Sequence, residues 1–301
     1  MVKITADSTC DLTPEIISDL DIDILPLHIV VDNETYRDGV DITPADIFRL
    51  VDEEGKSCHT TAINLFEYRT RFEELSARYD AVIHINIGSG FSSCHQNAQL
   101  AAQELYNVFT VDSLNLCLGS GTLVHTAALM AQQGAKVQEI LSTVRDMIPR
   151  VESSFVIDKL DYLRRGGRCS SLTEQGARLL QIRPCIEVVN NRMVVGKKYR
   201  GSLGRCLQHY IEDRFRDRSD IDLRRVYIAN AGCQPDIVAM VKETTSRLDR
   251  FEEIVECEAG CTISNHCGPN TVGIFFMRNQ NGAEASNLWS EFTNRLAQAI
   301  T

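Results

Sequence analysis

The sequence predicts an α/β fold of two domains, with a mostly parallel sheet in the N-terminal domain and a mixed sheet in the C-terminal domain. Through the first half, short apolar runs alternate with helical patterns, which is typical of βαβ units. The second half contains a hairpin pattern and closely spaced strands instead. At 301 residues the chain is long enough for two domains, 1–152 and 153–301. Because no Gly/Ser/Pro-rich linker marks residue 152, we expect the domains to share an interface with a ligand cleft.

The first half supplies three strands, one longer extended stretch and five helices. The strands are predicted at 1–7, 81–87 and 107–113, and the extended stretch at 21–31. The helices are predicted at 10–20, 41–53, 92–105, 119–134 and 137–150. Two of the helices share a start signal, because Thr13 and Thr43 are good capping residues and each precedes a proline, which suits the first helical position.

The second half mixes strands that follow one another directly with strands separated by helices. Its predicted elements are a helix at 172–181, a hairpin over 183–200, a helix from Ser202, a strand at 225–232, a helix at 235–248, and strands at 251–260 and 271–278. The hairpin turns at Asn190-Asn191, since asparagine tolerates the left-handed backbone that tight turns require. This order predicts a mixed or antiparallel sheet.

The net charge of −10 argues against a nucleic-acid-binding protein, which would normally have a basic surface. No apolar stretch reaches the roughly 20 residues needed to span a bilayer, and the first residues, MVKITADST, show no secretory signal. We therefore expect a soluble, cytoplasmic protein. The segment 164–205 runs against the overall charge, with ten Lys/Arg and two acidic residues. It is either a solvated surface or a face that meets an acidic partner, a phosphate group or an anionic membrane.

The eleven cysteines include no C-x-x-C pair, which favours reduced and mostly buried thiols. The tightest group is Cys257, Cys261, His266 and Cys267. Its spacing does not match a common zinc site. We predict no metal and no other cofactor.

The stretch GSGFSS at 88–93 places glycines and serines where a strand turns into a helix. It is not a dinucleotide fingerprint, because Ser93 stands where the third glycine should be, and it lacks the lysine of a phosphate-binding Walker loop. It is not the G-x-S-x-G elbow of a nucleophilic serine either. Two interpretations remain open: Ser92 or Ser93 caps the helix, or the helix N-terminus binds an anion such as a carboxylate.

Other small polar groups follow predicted strands, in DST at 7–9, HTTAIN at 59–64 and VDSLN at 111–115. The carboxyl ends of parallel strands line the ligand crevice of such sheets, although these residues could equally be turn and cap residues. Late in the chain, His266 lies in what reads as a glycine-rich turn, a position that favours ligand binding. Arg168 follows a double glycine.

These motifs, in this order, resemble the DegV family of bacterial fatty-acid-binding proteins over nearly the whole chain. They are ADSTCDL at 6–12, TTAIN at 60–64, SGFSSCHQNA at 89–98, VDS at 111–113, LDYLRRGGR at 160–168, Arg183-Pro184 and NHCGPNTVG at 265–273. The resemblance implies two α/β domains with one long-chain fatty acid buried between them.

By the same resemblance, the carboxylate would be held by Thr60 or Thr61, by Ser92 and by His266, with help from Arg168. The chain departs from the family pattern in two places. It has Ser92-Ser93 where the family often has Ser-Gly, and Ala62-Ile63 where the family often has Gln-Pro. Both hydroxyls of each pair, Ser93 included, therefore stay candidates.

The resemblance further implies a carrier that is not itself an enzyme. It would present the acid to a separate fatty acid kinase, whose ATP-dependent reaction makes an acyl phosphate, and the basic segment would dock to that kinase or touch membrane lipid. A second hypothesis is a serine hydrolase or acyltransferase, with Ser92 as nucleophile, His266 as base, and Asp7 or Asp112 orienting the histidine. A third is a regulatory small-molecule sensor.

Overall fold

The computed structural model describes residues 1–167, 182–248 and 251–279. The strands are β1 Val2–Asp7, β2 Asp23–Leu25, β3 His28–Val31, β4 Glu34–Arg37, β5 Cys58–Thr61, β6 Ala81–Asn86, β7 Val108–Asp112, β8 Val151–Val156, β9 Ile182–Val189, β10 Arg192–Arg200, β11 Ile221–Ala231, β12 Glu253–Glu258 and β13 Thr271–Arg278. The α-helices are α1 Pro14–Asp19, α2 Pro44–Phe48, α3 Leu65–Ser76, α4 Cys94–Ala102, α5 Leu118–Gln132, α6 Val137–Met147, α7 Asp161–Arg165, α8 Leu203–Phe215, α9 Pro235–Ser246 and α10 Cys261–Cys267. Short 3₁₀ turns span Ser8–Cys10 and Ile148–Arg150, and a π turn spans Arg49–Glu53.

The N-terminal half contains the parallel sheet that the sequence predicts. Its strands lie in the order β2, β1, β6, β7, and every neighbouring pair is parallel. All six residues of β6 are buried, which explains why that strand reads as a continuous apolar run. The predicted caps are confirmed as well: the Thr13 hydroxyl accepts the Ile16 N–H, and the Thr43 hydroxyl accepts the Asp46 N–H.

A second, smaller sheet in this half lies beyond what the sequence predicts. It is antiparallel, with the order β4, β3, β5. The extended stretch at 21–31 is interrupted at Pro26, so that β2 joins the parallel sheet and β3 joins the small one. This small sheet is important for the site because β5 ends at Thr60 and Thr61.

The C-terminal sheet has the order β10, β9, β8, β13, β11, β12. Only β11 and β12 are parallel, so the predicted mixed sheet is confirmed. The predicted hairpin forms between β9 and β10, with left-handed φ values of 50° at Asn190 and 61° at Asn191. The helix predicted at 172–181 lies outside the described residues.

Helix α5 packs between the two large sheets. It contacts β1 and β6 of the parallel sheet and β8, β11 and β13 of the mixed sheet. One continuous core therefore joins the two halves, with Ile83 and Leu123 in the same buried cluster as Phe155 and Phe275.

Helix α5 is mostly buried within the protein. No helix in the described parts of the chain is long and apolar enough to cross a membrane. The domain boundary at residue 152 stays a prediction.

Candidate functional site

A cavity with about 610 Å³ of free space, including the part open to solvent, lies where the two halves meet. Its wall is largely apolar, and the polar side chains that line it are Thr60, Thr61, Ser92, Thr262 and His266. Four of the six predicted binding residues therefore share one cavity. Ser93 is exposed and outside its lining, and Arg168 lies outside the described residues.

Thr60 and His266 are directly joined, because Thr60 Oγ1 and His266 Nε2 share a 2.8 Å hydrogen bond. Thr60 is half-buried and Thr61 is exposed, since successive side chains of β5 point to opposite faces. Thr60 is thus the member of the pair that meets the imidazole.

The prediction that His266 lies in a glycine-rich turn is wrong. His266 is in the last turn of helix α10, which Gly260 and Gly268 flank. The glycines that made the stretch read as a turn are the two ends of a short buried helix.

Two buried carboxylates from the N-terminal half hold the first turn of α10 in place. The Asp38 carboxylate accepts the N–H groups of Cys261 at 2.8 Å and Thr262 at 3.2 Å. The Asp11 carboxylate accepts the Gly260 N–H at 3.0 Å. Carboxylates at a helix N-terminus satisfy its free N–H groups and its positive dipole. These bonds fix the helix of His266 against the half that carries Thr60. No sequence motif points to Asp38.

The buried position of the Asp11 carboxyl makes its ionisation unfavourable. Burial raises its pKa to about 7, and the nearby Asp38 charge adds to the rise. Hydrogen bonds from the Cys117 thiol and the Gly260 N–H act in the opposite direction. Asp11 is therefore a carboxyl that changes its charge near neutral pH.

Ser92 is held in the cavity wall by the first residue of α4. Its hydroxyl accepts the Cys94 N–H at 3.2 Å and donates to Cys94 Sγ at the same distance. Ser92 thus provides the helix-start bond, whereas the Ser93 side chain at the capping position makes none. Because sulfur is a weak acceptor, the Ser92 hydrogen is available to a stronger one. The Cys94 thiol itself is protonated at neutral pH, since burial raises its pKa to about 12.

Asp7 is a structural residue beneath this wall. Its carboxylate, 1% exposed, accepts hydrogen bonds from the Tyr68 hydroxyl at 2.5 Å and from the Ile87 N–H at 2.9 Å, and it also contacts His84 and Asn86. Asp112, the other predicted partner of His266, accepts the N–H groups of Ser89 and Leu114. Because both aspartates are engaged with these other groups, neither serves as the third member of a catalytic triad with Ser92 and His266.

The glycines of GSGFSS have a packing role that the sequence did not reveal. The tip of the β9–β10 hairpin rests on this turn, where Asn191 Nδ2 donates to Ser89 Oγ at 3.0 Å. A Cβ at Gly90 would lie 2.9 Å from Asn191 Cγ and closer still to the Asn191 carbonyl oxygen. The hairpin also contributes Met193 to the cavity wall, so glycine here lets the C-terminal half close over the site.

A second cavity, with about 310 Å³ of free space including the part open to solvent, adjoins the first. The two share Leu116, Phe155, Ile263 and Cys267 in their walls. Its lining is mainly apolar and rich in small residues, including Ala229, Ala231, Ala259 and Gly273. The polar-lined cavity is thus separated from a mainly apolar one by no more than these shared side chains.

The thiols near this region are engaged with backbone carbonyls. Cys261 Sγ donates to the Ile42 carbonyl at 3.1 Å, and burial raises the pKa of the Cys267 thiol to about 12. Within the described residues no group of three or more His, Cys, Asp or Glu is placed to hold a metal ion.

Together the fold and the site define an α/β protein of two large sheets that encloses an apolar cavity with hydroxyl and imidazole groups in its wall. The DegV family model, described as "Uncharacterised protein, DegV family", matches residues 1–279. A DegV domain-containing protein of Caldanaerobacter subterraneus is 33% identical in an alignment 279 residues long, which covers 91% of this chain and 98% of that protein. The chain belongs to the DegV family.

Solved structures agree with this assignment. A DegV family protein from Thermus thermophilus, described by its fatty acid binding, has a TM-score of 0.85 and 26% identity over 92% of this chain and 99% of its own. DegV from Bacillus subtilis, described as a fatty acid binding protein, has a TM-score of 0.79 and 25% identity, with the same coverage.

Proposed function

We propose that this protein binds one long-chain fatty acid, with the carboxylate beside Thr60, Ser92 and His266 and the acyl chain in the two cavities. The observation that carries the proposal is that the cavity containing these groups adjoins a second, mainly apolar cavity and shares four wall residues with it. The descriptions of the Thermus and Bacillus relatives support the same class of ligand. Thr61, Ser93 and Arg168 are proposed as neighbouring donors on the family resemblance.

The acyl chain supplies most of the binding free energy. Each buried methylene contributes roughly 0.8 kcal/mol, so about sixteen carbons contribute on the order of 10 kcal/mol. Such a chain requires an apolar space well beyond the polar groups, and the second cavity provides one.

The polar groups satisfy the other end of the ligand. A buried carboxylate without hydrogen bonds costs several kcal/mol. The hydroxyls of Thr60 and Ser92 can each donate one hydrogen bond. The imidazole of His266 has one N–H donor when it is neutral and a second N–H donor when it is protonated. The proposed arrangement holds an acid and carries out no reaction, so we propose a binding protein without a cofactor.

We propose further that a separate fatty acid kinase phosphorylates the bound carboxylate. Arg164 and Arg165 are exposed on α7, and the residue before them, Leu163, lines the cavity. A basic surface so close to the ligand suits docking of an acidic partner or transient contact with anionic lipid. The hydrolase alternative gains no such support, because the Ser92 hydroxyl donates to Cys94 Sγ and His266 is joined to Thr60.

Native mass spectrometry of protein purified from cells tests the proposal. The expected result is a bound mass in the range of a C14–C18 fatty acid, which disappears after delipidation and returns when the acid is added back. A protein that stays ligand-free after incubation with such acids would overturn it. Labelling of Ser92 by a fluorophosphonate probe would revive the hydrolase hypothesis.

A further inference from the structure

Gly166, the first residue of the double glycine at the end of α7, lies against the imidazole of His266. A Cβ built on Gly166 would lie 2.8 Å from His266 Cε1, 3.2 Å from Cγ, and closer still to Nδ1. Nonbonded carbon atoms pack at about 3.5–4.0 Å. A side chain at residue 166, even a methyl group, is therefore incompatible with the observed position of the ring.

The backbone of Gly166 gives no other reason for a glycine. Its φ of −73° and ψ of −2° are helical, and its N–H donates to the Tyr162 carbonyl at 2.9 Å as the end of α7. Alanine adopts this conformation readily and has the higher helix propensity. Without the contact to His266, Gly166→Ala would leave the free energy of unfolding unchanged or raise it slightly.

Gly167 differs from its neighbour in this respect. Its φ is +67°, a left-handed conformation that side chains disfavour, but a Cβ there would meet nothing within 4 Å. The two glycines thus have separate reasons to be glycine: close approach at Gly166 and backbone conformation at Gly167.

We infer that Gly166 is a positioning residue for His266, and that its missing side chain allows α7 to press the imidazole toward Thr60. The Nδ1 edge of the ring meets α7, and Nε2 meets Thr60 Oγ1 at 2.8 Å. The ring is held between the two elements, so its direction depends on the position of α7. This inference rests on the proposed function, since it concerns how the carboxylate-binding groups are set.

The test compares Gly166→Ala with Gly167→Ala, each assayed for binding of hexadecanoic acid and of the matched alcohol, hexadecanol. We expect Gly166→Ala to weaken binding of the acid by about tenfold or more, which is the usual effect of losing a hydrogen bond to a charged group. Binding of the alcohol should change much less. We expect Gly167→Ala to lower the melting temperature, because of backbone strain, and to keep the wild-type ratio of acid to alcohol affinity.

A double-mutant cycle keeps the test valid if Gly166→Ala also loses stability. In a His266→Ala background the methyl group has no ring to displace, so adding Gly166→Ala should change acid affinity no further. An equal loss in both backgrounds would overturn the inference.

A ligand-free readout separates this inference from the proposed function. In NMR spectra of the histidine side chains, Gly166→Ala should shift the ring signals of His266 and leave those of His59 unchanged. Unchanged His266 signals would overturn the inference even if the protein binds fatty acid. A different result separates the two claims in the other direction. If Gly166→Ala shifts the His266 signals but the wild-type protein binds no fatty acid, the positioning role stands and the proposed function fails.

Discussion

The side chains of Thr60 and His266 share a 2.8 Å hydrogen bond although the residues are 206 positions apart. This bond crosses from the small N-terminal sheet to a helix of the C-terminal half. It brings two polar groups of the cavity wall together. The same hydrogen bond therefore connects the two halves of the fold and orients two groups of the proposed binding site.

Replacing Thr60 by valine removes the hydroxyl and keeps the shape of the side chain. We expect fatty acid affinity to fall by about tenfold, because the carboxylate loses a donor and His266 loses its partner. The melting temperature should change little. A fluorescent fatty acid displacement assay checks this, with Thr35→Val on the exposed strand β4 as the control. Equal affinity for both variants would exclude Thr60 from the binding site.

Asp11→Asn should change how stability depends on pH. Burial raises the folded-state pKa of Asp11 to about 7 from an ordinary value near 4. The contribution of Asp11 to the free energy of unfolding is therefore greatest at low pH, and it declines as pH rises from about 4 to about 7. Urea unfolding at several pH values should show a smaller decline for Asp11→Asn, whose Oδ1 can still accept the Gly260 N–H. The same slope in both proteins would contradict the assignment.

Ala231→Val should shift the chain-length preference of the protein. Ala231 is a buried residue of β11 that lines the second cavity, and valine suits a strand. Its two extra carbons occupy the space of about two methylenes of the ligand, which corresponds to about tenfold in affinity. We expect binding of an 18-carbon acid to weaken by that amount and binding of a 12-carbon acid to change little. Unchanged binding of the 18-carbon acid would show that the chain does not reach this cavity, and an equal loss for both acids would contradict the predicted chain-length preference.

Reversing the charge of Arg164 and Arg165 together should weaken transfer of the acid to the kinase. Both side chains are exposed, so lipid binding and stability should remain close to wild type. A coupled assay of acyl phosphate formation measures the loss, and Arg224→Glu, an arginine 78% exposed outside the basic segment, is the control. Full transfer by the double variant would remove these arginines from the docking surface.

The sequence predicts the parts of the fold that local patterns determine. The apolar runs of β1, β6 and β7, the threonine caps and the Asn190-Asn191 turn each depend on residues adjacent in the chain. Helix α3 could also have been found, because Asn64 and Glu67 form a capping box and Tyr68 and Phe72 share a buried face.

The rest depends on contacts between distant residues. Asp38 has no local signal, since it caps a helix more than two hundred residues away. The glycines at 90 and 166 are needed because Asn191 and His266 occupy the space of their side chains. His266 lines the cavity, and the glycines that flank its short helix make the segment resemble a turn in the sequence.

A crystal structure of the protein loaded with hexadecanoic acid tests the central claim most directly. We predict one carboxylate oxygen within about 3.2 Å of Thr60 Oγ1 and of Ser92 Oγ, with the acyl chain running past Phe155 into the second cavity. A carboxylate bound away from Thr60 and Ser92, or a chain that runs in the opposite direction, would contradict it.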